Sequence, residues 1–402
     1  MRKALVSVGA VSLTALLATA CGADPTASTN NDGNGSADSA TVTLGASLSL
    51  TGIQAPLDEP GLRGARLAVK QLNESGGILD KQVKLINLDG KSDPVTVGNN
   101  AVQLIDEGAA AIIAPCDFDF GSPASREAQS AGLVGISTCA SSPLYGAKSL
   151  GDKQFTLSMW NTTMGAAAAE HGYEQGWRNA YVVTDTFIDY TKSLSAYFTE
   201  TWEHLGGRIV GTDSYTQGDQ NFSAQLQRLQ RVPEPDVVFV SSYMPDLALI
   251  IREIRSAGID APILGGDSYD DPQLGKVLGN RYGNDITYAT HSFLSAEAGD
   301  QVGEFLQAYQ TEHGEEPDTA IVTTGYDTVM VLAQAMEKAG TTDGAEVAKA
   351  METMQFDLLT GKLDWGTAAE DHLPNKEAAM VSLSGGATKF EGWLMPSWTP
   401  EK

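Results

Sequence analysis

Histidine and cysteine are both scarce, five of one and three of the other in 402 residues. The histidines, His171, His204, His291, His313 and His372, are scattered without metal-ligand spacing, so no zinc motif is present and no metal or cofactor is expected. A G-x-x-x-x-G-K-[ST] phosphate loop is missing, as is a G-x-S-x-G nucleophile elbow. The glycines of GGD at 265–267 follow a strand signal but lack the rest of a dinucleotide fingerprint. Basic residues are few as well: 26 Lys and Arg stand against 51 Asp and Glu. Such an acidic chain is repelled by nucleic acid and by anionic lipid. With so many acids, carboxylate pairs occur by chance and do not argue for a glycosidase. A surface-tethered hydrolase remains the enzyme-class rival, and its mark would be a nucleophile–base pair in a cleft. After residue 20 no hydrophobic run approaches the length of a membrane span, which leaves a soluble body.

The first twenty residues carry a short positive region, Arg2 and Lys3, then an apolar stretch over 4–17 and the small residues Ala18, Thr19 and Ala20 before Cys21. These are the parts of a secretory signal. The cysteine directly after the small residues resembles a bacterial lipobox, although Ala18 stands where leucine is usual. The resemblance implies acylation of Cys21; ordinary cleavage near Ala20 with an unmodified cysteine is the alternative. Residues 22–40, GADPTASTNNDGNGSADSA, hold nothing able to build a core. They read as a disordered tether with a root-mean-square reach of about 25 Å. Of the three cysteines, Cys116 and Cys139 remain for the body. An exported pair is a disulfide candidate, with two buried thiols as the other possibility.

From Thr41 onward strand and helix signals alternate, which predicts a parallel sheet covered on both faces. Strands are expected at 42–50, 82–89, 109–115 and 133–137. Helices are expected at 61–73, where Leu62, Ala65, Val69 and Leu72 share one face, and at 95–106 and 123–131. The last has Ser122 and Pro123 as cap and first residue. A second set follows: strands at 179–185, 208–216, 236–242, 261–267 and 285–291, and helices at 191–206, 222–232, 247–258, 300–312 and 320–340. Ligands of open parallel sheets sit at the carboxyl ends of the strands. That rule selects residues 49–52, 89–93, 116–121, 138–143, 185–190, 241–243 and 266–269, all rich in Ser, Thr, Asp, Tyr and Gly.

LSLTG (48–52), GARLAVKQLNESGGILDKQVKLINLDGKSDP (64–94), AAIIAP (110–115), ISTCASSP (136–143), NFSAQLQRL (221–229), PDVVFV (235–240), IIREIRSAGIDAPILGGD (250–267) and GYDTVMVLAQAMEKAG (325–340) follow one another along the chain. In that order they resemble the branched-chain amino-acid-binding family of ABC-transporter solute-binding proteins, the leucine/isoleucine/valine type. The resemblance implies an α/β fold of two Rossmann-like lobes with mostly parallel central sheets. Three hinge crossings join the lobes and a ligand cleft lies between them. It divides the chain into a signal peptide (1–20), a lipidated cysteine and tether (21–40), one lobe of 41–159 plus 291–365, and another of 160–290 plus 366–402. It implies a small-molecule ligand, ABC permease subunits as partners and a lipid-anchored position on the extracytoplasmic face. A sensory receptor on the same fold is the runner-up.

Carried over residue by residue, the family's ligand-holding polar residue falls on Ser141, with Cys139 and Ala140 supplying backbone groups. The acid that takes the ammonium of an amino acid falls on Asp267, with a capping role in the following turn as its alternative. Tyr243 and Tyr190 match the aromatics of the second lobe, and Leu57 replaces an aromatic of the first. The resemblance also sets the strands before Cys116 and Cys139 side by side and so implies a disulfide between them. The clearest departure is CDFDFGS (116–122), where the family has a serine-rich loop that holds the ligand carboxylate. Asp117 and Asp119 would repel a carboxylate unless protonated. Either they point away, Asp119 being a solvated residue before the helix, or the ligand is no ordinary α-amino acid. Phe118, Phe120, Trp160 and Tyr243 could line the cleft; Trp160 could equally be core.

Overall fold

The structure, a computed structural model, describes residues 41–219 and 221–402. The expected signal segment, lipidated cysteine and tether lie outside them. The first half of the body runs β1 (Thr41–Ala46), α1 (Ala55–Glu74), β2 (Gln82–Asn87), α2 (Pro94–Asp106), β3 (Ala111–Ala114), α3 (Phe118–Ser130), β4 (Val134–Ser137), α4 (Ala147–Leu150) and β5 (Gln154–Thr156). The five strands form one sheet in the order β2-β1-β3-β4-β5, and every neighbouring pair is parallel. Its faces follow from the strand period of two. Ala111 and Ile113 of β3 join Val42, Leu44 and the helices on one side, while Ile112 and Ala114 join Val97, Leu104 and Ala124 on the other.

The chain then passes to a second body: α5 (Asn161–Glu174), β6 (Asn179–Asp185), α6 (Asp189–His204), β7 (Arg208–Tyr215), α7 (Ser223–Leu229), β8 (Val237–Ser241), α8 (Asp246–Ser256), β9 (Ile263–Gly265), α9 (Pro272–Tyr282) and β10 (Ile286–Thr290). It returns with α10 (Asp300–His313), α11 (Ile321–Ala339) and α12 (Gly344–Met351), of which α11 packs along α1. A small antiparallel sheet follows, β11 (Phe356–Leu358), β12 (Gly361–Trp365) and β13 (Pro374–Asn375), and the last crossing leads to β14 (Ala378–Ser384) and β15 (Ala387–Leu394). The second large sheet is ordered β15-β14-β10-β9-β8-β6-β7. Its strands β6 to β10 are parallel and the terminal hairpin is antiparallel. The three passages between the sheets, and the βα alternation within each, make this the two-lobed type I binding-protein fold.

Two helices start earlier than their sequence signals. α1 begins at Ala55, with Pro56 in its first turn, where a missing N–H has no partner to lose. α3 begins at Phe118, so Ser122 is not a cap and Pro123 lies inside the helix. The first bond of α3 runs from the Gly121 N–H to the Asp117 carbonyl at 2.8 Å, and Pro123 forfeits the bond its N–H would have made to the carbonyl four residues back. The β14–β15 hairpin, the small sheet, α9, α12 and the stretch from α4 to α5 have no separate signal in the sequence. No described helix is long and apolar enough to cross a membrane.

Candidate functional site

The carboxyl ends of β1, β3 and β4 form one wall. Asp58, in the first turn of α1, is wholly buried and accepts the N–H groups of Ser49 (2.8 Å) and Cys116 (3.0 Å). It thereby ties the loop after β1 to the loop after β3. Burial pushes its carboxyl up to about 7 against the pull of those bonds. Cys116 and Cys139 are joined by a disulfide, their Cα atoms 4.7 Å apart, which ties the loop after β3 to the loop after β4.

Asp117 follows, with φ +66°, an uncommon backbone for a non-glycine residue. Its side chain does not cap α3. It reaches outward and accepts Gln54 Nε2 at 2.7 Å and the Tyr243 hydroxyl at 3.0 and 2.9 Å to its two oxygens. Burial raises its carboxyl to about 7; the Gln54 and Tyr243 bonds oppose this, and the nearby Asp267 and Asp119 charges add to it. Ser141 is buried; its carbonyl accepts the Asn161 N–H at 2.6 Å and its hydroxyl has no partner. Ala140 has its N–H on Ser137 Oγ (3.0 Å) and its carbonyl on Thr156 Oγ1 (2.6 Å). The expected backbone contribution of Ala140 is thus already engaged within the wall, and Cys139 has its sulfur in the disulfide.

The facing wall comes from the ends of β6, β8, β9 and β10. Tyr190 and Tyr243 lie with ring centroids 5.1 Å apart at 52°. The Tyr190 hydroxyl sits 3.3 Å from both the N–H and the Oγ of Ser268, whose own hydroxyl donates to the Ser242 carbonyl at 2.7 Å. Asp267 opens a short 3-10 turn but does not cap it. Its Oδ2 is 2.8 Å from His291 Nε2, and both side chains are buried. His291 Nδ1 has no partner, and the Tyr190 hydroxyl also contacts Asp267. Leu57, Phe120, Ile321, Ile188, Tyr190 and Tyr243 share one apolar cluster that spans both walls.

The walls also meet at the rim. Asp119 Oδ2 accepts the Asp189 N–H at 2.9 Å, and the Ser142 hydroxyl donates to the Asp189 carboxylate. Asp119 is therefore a half-buried inter-wall acceptor rather than a purely solvated residue. Phe118 also departs from expectation. It packs on the outer cluster with its ring edge-on to Tyr145, centroids 6.3 Å apart, because the first turn of α3 alternates its side chains. Phe120 is the aromatic of that loop that faces Tyr190 and Tyr243. Trp160 is buried at the first crossing, its indole N–H without a partner and the Lys402 ammonium 4.4 Å from its ring centroid. Sequence reasoning missed Gln54, Asp58 and His291; Ser268 lies within the strand end 266–269 that it selected. The strand-end rule, applied to β10, would have found His291; Gln54 and Asp58 sit in a helix start that the pattern placed too late.

The sequence pattern of the periplasmic binding protein family matches residues 41–388. A curated relative, the leucine-, isoleucine-, valine-, threonine- and alanine-binding protein of Pseudomonas aeruginosa, is 22% identical over 342 residues, 85% of this chain and 90% of its own. Among solved structures, a leucine-binding protein of Thermotoga maritima superposes with a TM-score of 0.79 at 27% identity, covering 88% of this chain and 99% of its own. The branched-chain amino acid transporter substrate-binding protein of Streptococcus pneumoniae, solved with isoleucine, does so at 0.78 and 25%, covering 90% and 100%.

Proposed function

This chain belongs to the periplasmic binding protein family, and on that premise we propose that it captures a small polar solute between its two walls and presents the closed form to the membrane subunits of an ABC importer. It is a binding protein and not an enzyme, as its relatives are. The observation that carries the ligand site is the Asp117–Tyr243 bond across the walls, set in a shared apolar cluster. Ser141, Asp267 and Tyr190 act with that pair as the ligand-holding groups. Residues 41–159 with 291–365, and 160–290 with 366–402, move as two bodies about the crossings. Ligand binding favours closure because its bonds to both walls exist only there. A thermal-shift screen of amino acids, amides, polyamines and aromatic acids tests the reading. A hit should also reduce the radius of gyration in small-angle scattering, and a binder that leaves it unchanged speaks against capture by closure.

The protein is held on the extracytoplasmic face through an acylated Cys21. The support is the order of Arg2, Lys3, the apolar residues 4–17 and the small residues before Cys21. Partition of the protein into a detergent phase, lost in Cys21→Ala, is the expected result; equal partition of both proteins rejects the anchor.

A further inference from the structure

We propose that the solute is a small organic cation without a carboxylate (an alkylamine, amidine or guanidine) and that Asp117 selects it. This rests on the solute-binding reading above and narrows it. A helix N-terminus such as that of α3 is ordinarily a place for an anion. Here the residue at that point brings its own carboxylate, and the carboxylate is turned toward the opposite wall, held by Gln54 at 2.7 Å and Tyr243 at 2.9 Å. A second buried carboxylate, Asp267, stands on that wall. His291 is the one basic side chain bonded to either acid among the described residues. A ligand carboxylate would enter beside two acids with no Lys or Arg to offset them, whereas a cation would meet charge-assisted acceptors.

Two further features favour a cation, and a third is compatible with one. The Gln54 side-chain oxygen Oε1 is buried without a partner, and as an acceptor it requires a donor. The Ser141 hydroxyl, also buried and unpartnered, accepts as readily as it donates. Tyr190, Tyr243 and Phe120 belong to one apolar cluster, whose Tyr243 bonds Asp117, and aromatic faces attract cations while covering an alkyl body.

Three matched pairs isolate the carboxylate: leucine and 3-methylbutylamine, arginine and agmatine, lysine and cadaverine. Calorimetry on the full chain should show at least one amine binding tenfold or more tighter than its amino acid. Asp117→Ser and Asp117→Asn, both checked for fold by circular dichroism, should each weaken that amine at least tenfold. An amino acid that outbinds its amine, or an amine whose affinity survives both substitutions, overturns the proposal. Should both variants misfold, the pairs on the unaltered protein decide. Binding of none of the six also overturns it. If a wide screen of neutral and anionic solutes is then empty as well, the solute-binding reading falls too, whereas a carboxylate ligand found there leaves that reading standing.

Discussion

Asp267 and Asp117 occupy comparable positions on facing walls and differ in their partners. Asp267 is bonded to His291 within its own wall, whereas the side-chain partners of Asp117 are Gln54 and Tyr243. Removing it leaves the buried imidazole unpaired as well as the ligand. Asp267→Ala should weaken binding by at least about 1.5 kcal/mol, the low end for a bond to a charged group. Calorimetry with an identified ligand measures this, and unchanged affinity would leave Asp267 a purely structural partner of His291. Asp117 and Asp58 instead have carboxyls raised from 3.8 to about 7 by burial. A folded-state value above the unfolded one means that the native state binds more protons between pH 4 and 7. Their contribution to stability is therefore fully present below pH 4 and is lost as pH rises through 7. The ligand-free protein should melt at a higher temperature at pH 5 than at pH 8, and Asp117→Asn should shrink that difference. An equal difference in both proteins would show that Asp117 does not titrate in this window.

At the scale of elements, the ends of β1, β3 and β4 are fixed by two cross-ties, the Asp58 carboxylate and the Cys116–Cys139 disulfide. The disulfide closes a loop of sequence separation 23, for which chain entropy gives about 3 kcal/mol. Cys116→Ser with Cys139→Ser should lower stability by roughly that amount in urea titration, and it should weaken ligand binding because Asp117 follows directly on Cys116. Loss of stability with unaltered affinity would mean that Asp58 alone positions the loop. The five parallel strands of the second sheet agree closely with the sequence pattern, β6 at Asn179–Asp185 most closely, and the wholly buried β8 reads as a continuous apolar run. α1 and α3 were less legible: polar and proline residues at their starts break the apolar period, and only tertiary partners such as Ser49, Cys116 and Tyr243 account for them.

At the scale of the whole molecule, the two walls are bonded at the rim, where Asp119 and Ser142 meet Asp189, and inside it, where Tyr243 meets Asp117. Each such bond is individually modest. Asp119→Ala combined with Asp189→Ala should raise the radius of gyration of the ligand-free protein and weaken binding several-fold, because the open form then competes better with closure. Scattering curves indistinguishable from the unaltered protein would place the closing free energy elsewhere, in the apolar cluster or the crossings.

The order of strands and helices was readable from residue order, because hydrophobic period and strand-end composition are local properties; the two-lobed architecture and the pairing of Cys116 with Cys139 came from the family resemblance. That Tyr190, Tyr243 and Asp267 lie at strand ends was readable for the same reason; their expected roles came from the family resemblance. Which way a side chain points was not. Phe118 and Phe120 are alike in sequence, yet α3 turns one to the outer cluster and the other to the cleft. Asp117 and Asp119 are likewise neighbours in sequence; one meets Tyr243 and the other the Asp189 amide. The pairing of His291 with Asp267 joins residues 24 positions apart. These outcomes depend on the helix start and on the approach of two separate sheets, and no local pattern in the chain encodes the distance between them.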